Sequence, residues 1–531
     1  MSEIVVIYNK LSEEDVFYGL LDYGLFSEKI PPCFSSVGLA DFIKNDKDLI
    51  KIFNLTDEKD LKKALDKRAY DYIRYEAVRD INIPRSLGIP HPESYAVQAL
   101  AIKKYWIDIQ SHCAQPDVKV SRIHVRSVGG GRIFEMNYKG EERFQLEEEE
   151  INWMTGAMFL AKADISKCFH SIYTHSIPWA LNGRSEAKSK RGLLELSGNL
   201  LDKCTQNIRD KQTNGLLIGP HSSNIISEII LTRIDNSLLK KGYEKLKRHI
   251  DDYQFYAESY EQAEKFLHDL GLLLREYELN LNEKKTSILS LPRPSDENWI
   301  RELNSFSFSS EKEVKYFTIR MFLDLALELA QSAGTSAPLN YAIKMMPEKL
   351  NERAKHLYVQ EAINLSLSFP YLAPYLDEYV FEKYLYEGIE KKIGDFANKI
   401  LMLGIKKLYP DAIAHGFYYA IKYEAKLEIT SEKVMEIMEF DDCIVKVLLL
   451  EYAKRNKLKE ILKVIKKSSD SLKSGEKRDV ERQWLFVYQT WTEDELKGNG
   501  HKFLAELKKL NFSFLSNDAM KKKVLELIPT D

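Results

Sequence analysis

Two aspartates stand side by side in "RHIDDYQFYA", Asp251 and Asp252, between apolar and aromatic residues. A third, Asp164, closes the apolar run "MFLAKAD". An unpaired buried carboxylate is costly, so adjacent aspartates in a strand-like pattern need a counter-charge. Divalent cations can supply it. Carboxylates converging from adjacent strands hold a pair of metals, which activate an attacking oxygen and stabilise a leaving one in phosphoryl transfer. Two Mg²⁺ ions suit such a site, because Mg²⁺ binds through one or two carboxylates plus substrate phosphates; Mn²⁺ is the substitute. A plainer alternative stays open at this point. Adjacent aspartates are common in turns and helix starts, and the dipeptide recurs at Asp441–Asp442.

The elements that would position these residues are a mixture of helices and strands. Residues 1 to about 85 read as short amphipathic helices, for example "DLKKALDKRAYDYIRYEAVRD". Three prolines and turn residues then lead into the helical "YAVQALAIKKYW". Alternation of basic and apolar residues on both sides of Gly129–Gly131 in "SRIHVRSVGGGRIFEMNYKG" predicts a β-hairpin. "MFLAKADISKCF" predicts a strand ending at Asp164, and "RHIDDYQFYA" the next strand of the core, with helical segments between and after them. Strands and helices in that order make an α+β or α/β core. After about residue 300 the pattern is helical throughout, with successive segments of about 10–20 residues separated by Gly or Pro. No fixed repeat period emerges, so the expectation is an irregular helical array, of which HEAT-like stacking is one form.

Composition sets the outer bounds. The chain has 531 residues, 44% hydrophobic and 30% charged, with a net charge of −3. Such a chain builds real cores, and any site for a polyanion must be a local basic patch. Five scattered cysteines without CxxC pairs fit a reducing cytoplasm. His112–Cys113 and His170/His175 lack the spacing of a zinc site. The start "MSEIVVIYNK" predicts no signal peptide, and no apolar run approaches the ~18 residues of a membrane span. A cytoplasmic protein that leaves membranes alone is expected.

At its motifs the chain resembles the reverse transcriptases. An aspartate followed five residues on by an aromatic is "DISKCF", Asp164 to Phe169. The aromatic-x-Asp-Asp box is similar to "HIDD", with His249 in the aromatic position. A Gly-rich loop entering a helix is "NGLLIGPHSSNIISEIIL", with Ile218 where a glutamine is usual. Leu281, Asn282, Lys285 and Thr286 match the closing "LNxxKT" box. The segments "DISKCFHSIYTHSIPWAL", "NGLLIGPHSSNIISEIIL" and "RHIDDYQFYA" narrow the likeness to the abortive-infection reverse transcriptases, the group of AbiK and its prophage-encoded relatives; "YTHSIPWAL" is the most distinctive part. The motifs span roughly residues 85–295.

The resemblance implies an α+β fold of reverse-transcriptase-like fingers and palm in residues 1–300, including an N-terminal helical extension. An all-α domain in residues 301–531 stands in place of a thumb. It implies metal binding by Asp164, Asp251 and Asp252, with the backbone carbonyl of Ile165 as a further ligand. Phe169 would sit under the sugar of the incoming nucleotide, where a ring collides with a 2′-hydroxyl and so favours dNTPs. Gly219 would let backbone approach the nucleotide. Arg126, with Arg122 and Arg132 as alternatives, would clamp the triphosphate, and Lys285 would reach the β/γ phosphates or protonate the leaving group. Arg184 and Lys188 fall near the product strand. The family's role is antiphage defence by untemplated, protein-primed synthesis in a homo-oligomer. That would leave single-stranded DNA attached through a tyrosine, although nothing singles out one of the 29 tyrosines. Two rivals remain: a conventional templated RNA-directed DNA polymerase, and a non-catalytic defence scaffold that binds a phage or host protein.

Overall fold

The computed structural model describes residues 11–79, 84–113, 120–121, 124–129, 131–135, 141–308 and 313–522. Two compact units form. One comprises Met1–Ser27, Ser36–Tyr72 and Gly88–Arg293; the other comprises Glu28–Ser35, Ile73–Leu87 and Pro294–Asp531.

Eight strands are present among the described residues: β1 (Ile73–Ala77), β2 (Arg85–Ile89), β3 (His124–Gly129), β4 (Arg132–Glu135), β5 (Phe159–Asp164), β6 (Leu246–His249), β7 (Asp252–Ala257) and β8 (Ser287–Ser290). β1 pairs with β2, and β3 with β4 as the expected antiparallel hairpin. The remaining four make one antiparallel sheet in the order β6-β7-β5-β8. The Tyr260–Glu276 helix covers β5 and β7. Its apolar stripe, Ala263, Phe266, Leu270, Leu273 and Leu274, recurs at helical spacing and is buried. Phe266 stacks on Phe255 of β7 at 4.8 Å between ring centres. Ser259 starts this helix by accepting the backbone N–H of Gln262.

The second unit is mainly helical. Its longer helices are Tyr316–Ala333, Glu352–Ser368, Ile389–Lys407, Pro410–Lys422, Cys443–Arg455 and Lys459–Ser471. Phe381, Phe396, Tyr419 and Tyr423 pack edge-on or tilted against one another in its core. Among the described residues no helix is long and apolar enough to cross a membrane, and all five cysteines are free.

Three sequence expectations change. Residues 248–257 are not one strand: Arg248 and His249 end β6, Ile250 and Asp251 form the turn, and Asp252 opens β7. Residues 73–77, read as helix, are strand β1, in which Ile73, Tyr75 and Ala77 are buried while Arg74 and Glu76 are partly exposed. That period of two follows from the alternating sides of a strand. The segment 375–409 is not one helix. It breaks ahead of Ile389 at Gly388, whose φ of 84° is a left-handed conformation that ends a run and suits glycine.

Candidate active site

The sheet register assembles the three carboxylates. Asp164, the last residue of β5, lies directly across from Asp252, the first of β7. Asp251 comes from the adjoining turn, whose backbone carbonyl accepts the N–H of Ile165 at 3.1 Å. Ligand atoms of Asp164, Asp251 and Asp252 all lie within 4.8 Å of one another. Like charges opposite each other on a sheet are destabilising. Two unit charges at this spacing repel by about 3 kcal/mol at an effective dielectric of about 20. The effect shows on Asp252, whose pKa is pushed up to about 6 by desolvation and by the charges of Asp251 and Asp164.

Asp164 is buried, with 5% of its surface exposed, and it is held from two sides. Asn282 Nδ2 donates to Oδ1 at 2.8 Å, and Lys285 Nζ to Oδ2 at 2.8 Å. The backbone N–H of Asn282 also donates to the Asp164 carbonyl at 2.7 Å. Lys285 is mostly solvent-facing, and its hydrogen bond to Asp164 raises its pKa. Lys285 offsets part of the cluster's negative charge through its ion pair with Asp164. The surplus is what bound divalent cations would neutralise, so the donor set, all hard oxygens, fits Mg²⁺ or Mn²⁺.

The turn that carries Asp251 is braced from inside the protein. Ile250 adopts φ 56°, an uncommon conformation for a β-branched residue that costs on the order of 1–3 kcal/mol. Its carbonyl accepts Arg248 Nη1 at 2.9 Å. Arg248 is fully buried and also bonds Glu228 (2.8 and 3.1 Å) and Asp235 (2.8–3.1 Å). Tyr253 donates its hydroxyl to Asp235 at 2.8 Å. Burial works against the Arg248 charge, but the two carboxylates more than compensate, and its pKa is held well above the ordinary value. Glu228 and Asp235 are seven residues apart on the His221–Lys240 helix, so both face the same side. Sequence reasoning missed this network. The signal was two acids at a two-turn spacing in the apolar "NIISEIILTRID", with an arginine just before the aspartate pair.

The other expected site residues fall in three groups. Lys285 joins the carboxylates directly. Phe169, on the Cys168–Ser171 helix, is partly buried, and its carbonyl accepts the Leu216 N–H at 2.6 Å. Gly215 N–H donates to the Ile172 carbonyl at 2.7 Å, and Tyr173 bridges Asn214. The loop that leads to Gly219 therefore runs beside the segment after Phe169. Gly219 has φ 129°, and a Cβ there would stand 3.3 Å from Ser27 Cβ and 3.4 Å from the Gly88 carbonyl. Both the backbone angle and the close approach of this chain's own segments call for glycine. Arg126 lies on β3, Arg132 opens β4 and is exposed, and Arg122 lies outside the described residues. His249 is exposed rather than packed in the core. His175 makes a structural hydrogen bond, Nδ1 to Asp202 Oδ2 at 2.5 Å, and that partner raises its pKa.

Residues 121–321 match the family model described as reverse transcriptase (RNA-dependent DNA polymerase). Among solved structures the chain is similar to apo telomerase from Candida tropicalis, at 10% identity over 74% of this chain and 68% of that one, with a TM-score of 0.33. It is also similar to telomerase from Candida tropicalis in complex with a fragment of telomeric RNA, at 12% identity over 74% and 63% of the two chains, with a TM-score of 0.30. No curated protein matches the chain significantly. Residues 121–321 carry a reverse-transcriptase domain, which marks the chain as a nucleotidyltransferase.

Proposed function

We propose that this chain, with residues 121–321 as its reverse-transcriptase domain, adds dNTPs to a 3′-hydroxyl or a protein hydroxyl at the Asp164–Asp251–Asp252 cluster. The observation that carries the reading is the convergence of three carboxylates within 4.8 Å of one another. In this reading Asp164, Asp251 and Asp252, with the backbone carbonyl of Ile165, hold two Mg²⁺ or Mn²⁺ ions. When bound, the ions supply Lewis-acid activation of the attacking oxygen and neutralise charge on the leaving pyrophosphate. The chain's own groups do the rest. Asn282 fixes the rotamer of Asp164. Lys285 leaves Asp164 for the β/γ phosphates once nucleotide is present. Phe169 excludes a 2′-hydroxyl, Gly219 admits the nucleotide close to the backbone, and Arg126 clamps the triphosphate.

The polymerase occupies residues 1–300 in this reading, and the helical domain of residues 301–531, with HEAT-like stacking, takes the place of a thumb in holding the nascent strand. The likeness of "YTHSIPWAL" and its neighbouring segments to the abortive-infection group supports a cytoplasmic role in antiphage defence. There the protein acts as a homo-oligomer, without template, and leaves single-stranded DNA on one of its own tyrosines.

The test is to incubate purified protein with labelled dNTPs and Mg²⁺, with and without an RNA template and primer, and to resolve the product before and after protease digestion. Product that forms without template and stays with the protein until digestion is expected. Product that appears only with template and primer would replace this reading with templated RNA-directed synthesis, which the description of the matching family favours.

A further inference from the structure

A second candidate site lies in the same unit as the carboxylates, and none of those carboxylates lines it. The Ser176–Asn182 and Ser197–Asn207 helices and the residues between them enclose a cavity of about 400 Å³, to which Lys62 of the Glu58–Asp66 helix also contributes. Clefts of this size hold small ligands. Four of its lining residues are cations, Lys62, Lys188, Arg191 and Lys203, against one carboxylate, Asp202.

The charges are unequally committed. Asp202 is already used, since one oxygen bonds His175 Nδ1 and the other accepts Gln206 Nε2 at 2.7 Å. Lys203 is paired with Asp66. Lys188 and Arg191 are exposed and make no ion pair or side-chain hydrogen bond with a described residue. Tyr173, His175 and Trp179 give the wall its aromatic part. Tyr173 lies edge-on to His175 at 4.9 Å and to Trp179 at 5.9 Å, and the Arg184 guanidinium sits 4.7 Å from the centre of the Trp179 ring. Uncommitted cations suit a phosphate, and aromatic rings suit a heteroaromatic base; the two together are the usual partners of nucleotides and single strands.

We propose that this cavity binds a nucleoside phosphate, with its base against Tyr173 and Trp179 and its phosphate on Lys188 and Arg191, at a place distinct from the carboxylate cluster. The nucleoside phosphate comes either as a free nucleotide or as one residue of a strand. The site needs no metal, so its binding can be measured apart from polymerisation.

The experiment measures binding of fluorescently labelled dATP, and of a labelled oligodeoxythymidylate, by anisotropy of the full-length protein in excess EDTA. Inorganic phosphate serves as competitor. Binding of at least one probe is expected, and K188E/R191E should weaken it at least tenfold. The readout is binding in EDTA rather than catalysis, so a failure of the polymerase reading does not touch this one. Trp179→Leu should weaken binding of the nucleotide probes while leaving phosphate competition as it was. Tighter binding of dATP assigns a free nucleotide, and tighter binding of the oligonucleotide assigns a strand; both sustain the site. No binding in EDTA, binding unchanged in K188E/R191E, or phosphate competing as well as unlabelled dATP would overturn it.

Discussion

Two groups of carboxylates in this molecule are treated in opposite ways. In the helical unit Asp377 accepts hydrogen bonds from Tyr418 (2.6 Å), Tyr423 (2.9 Å) and Lys422 (2.7 Å). Asp411 accepts from the Tyr75 hydroxyl (2.5 Å) and the Val78 N–H (3.0 Å), and it lies 3.1 Å from His415 Nδ1. Each negative charge there is met by donors from the protein, as buried charges generally are. In the sheet, three carboxylates lie with ligand atoms within 4.8 Å of one another, and Asp164 among them accepts from Lys285 and Asn282. The difference separates acids ringed by the protein's own donors from acids gathered against one another.

The comparison breaks most sharply at Asp251. Asp251→Asn removes one repelling charge and one metal ligand. Polymerisation should fall by at least about 10³-fold, since each metal contributes several kcal/mol to the transition state, while the melting temperature holds or rises. A variant that polymerises normally, or one that melts early, would erase the distinction. Asp377→Ala should do the reverse. It leaves the Lys422 ammonium, 5% exposed, without one of its two carboxylates, at a cost of about 3 kcal/mol in urea unfolding, and any polymerase activity lost should return at low temperature.

Titration sharpens the contrast. Asp442 caps the Cys443–Arg455 helix through the Val445 N–H at 2.9 Å, and burial pushes its pKa up to about 7. Its folded pKa lies above its unfolded one, so the folded state binds the extra proton. The contribution is full below about pH 4 and lost as pH rises through about 7. Asp442→Asn keeps an acceptor for the cap and removes the titration. It should be more stable than the parent by about 4 kcal/mol at pH 8 and nearly equal to it near pH 4, as read from urea midpoints. The smallest effect belongs to Lys285. Because the side chain is exposed, Lys285→Ala should change stability by less than about 1 kcal/mol, yet slow nucleotide addition by about tenfold in single-turnover assays.

Much of the candidate site was readable in the sequence, for a physical reason. Carboxylates at the end of apolar strands are rare enough to be seen, and Asp164, Asp251, Asp252 and Lys285 do come together. The plainer reading of paired aspartates was right about geometry as well: Asp251 sits in a turn and Asp442 at a helix start. The turn itself was hidden. Hairpin turns usually announce themselves with Gly or Asn, and here an isoleucine takes the left-handed conformation. Strand β1 was hidden for a different reason, since "IRYEA" also satisfies a helical pattern and its partner β2 lies in the proline-flanked stretch that reads as turn. Arg248 was hidden because its two carboxylate partners lie 13 and 20 residues earlier.

The Ile250 turn has a thermal consequence. Its shape is unfavourable on its own and persists because one guanidinium pins it from beneath. Warming should let the pin slip while the surrounding sheet and helices stay intact. The working ceiling of the enzyme would then fall several degrees short of the point at which the molecule melts, and preparations inactivated in that interval would regain full speed on cooling.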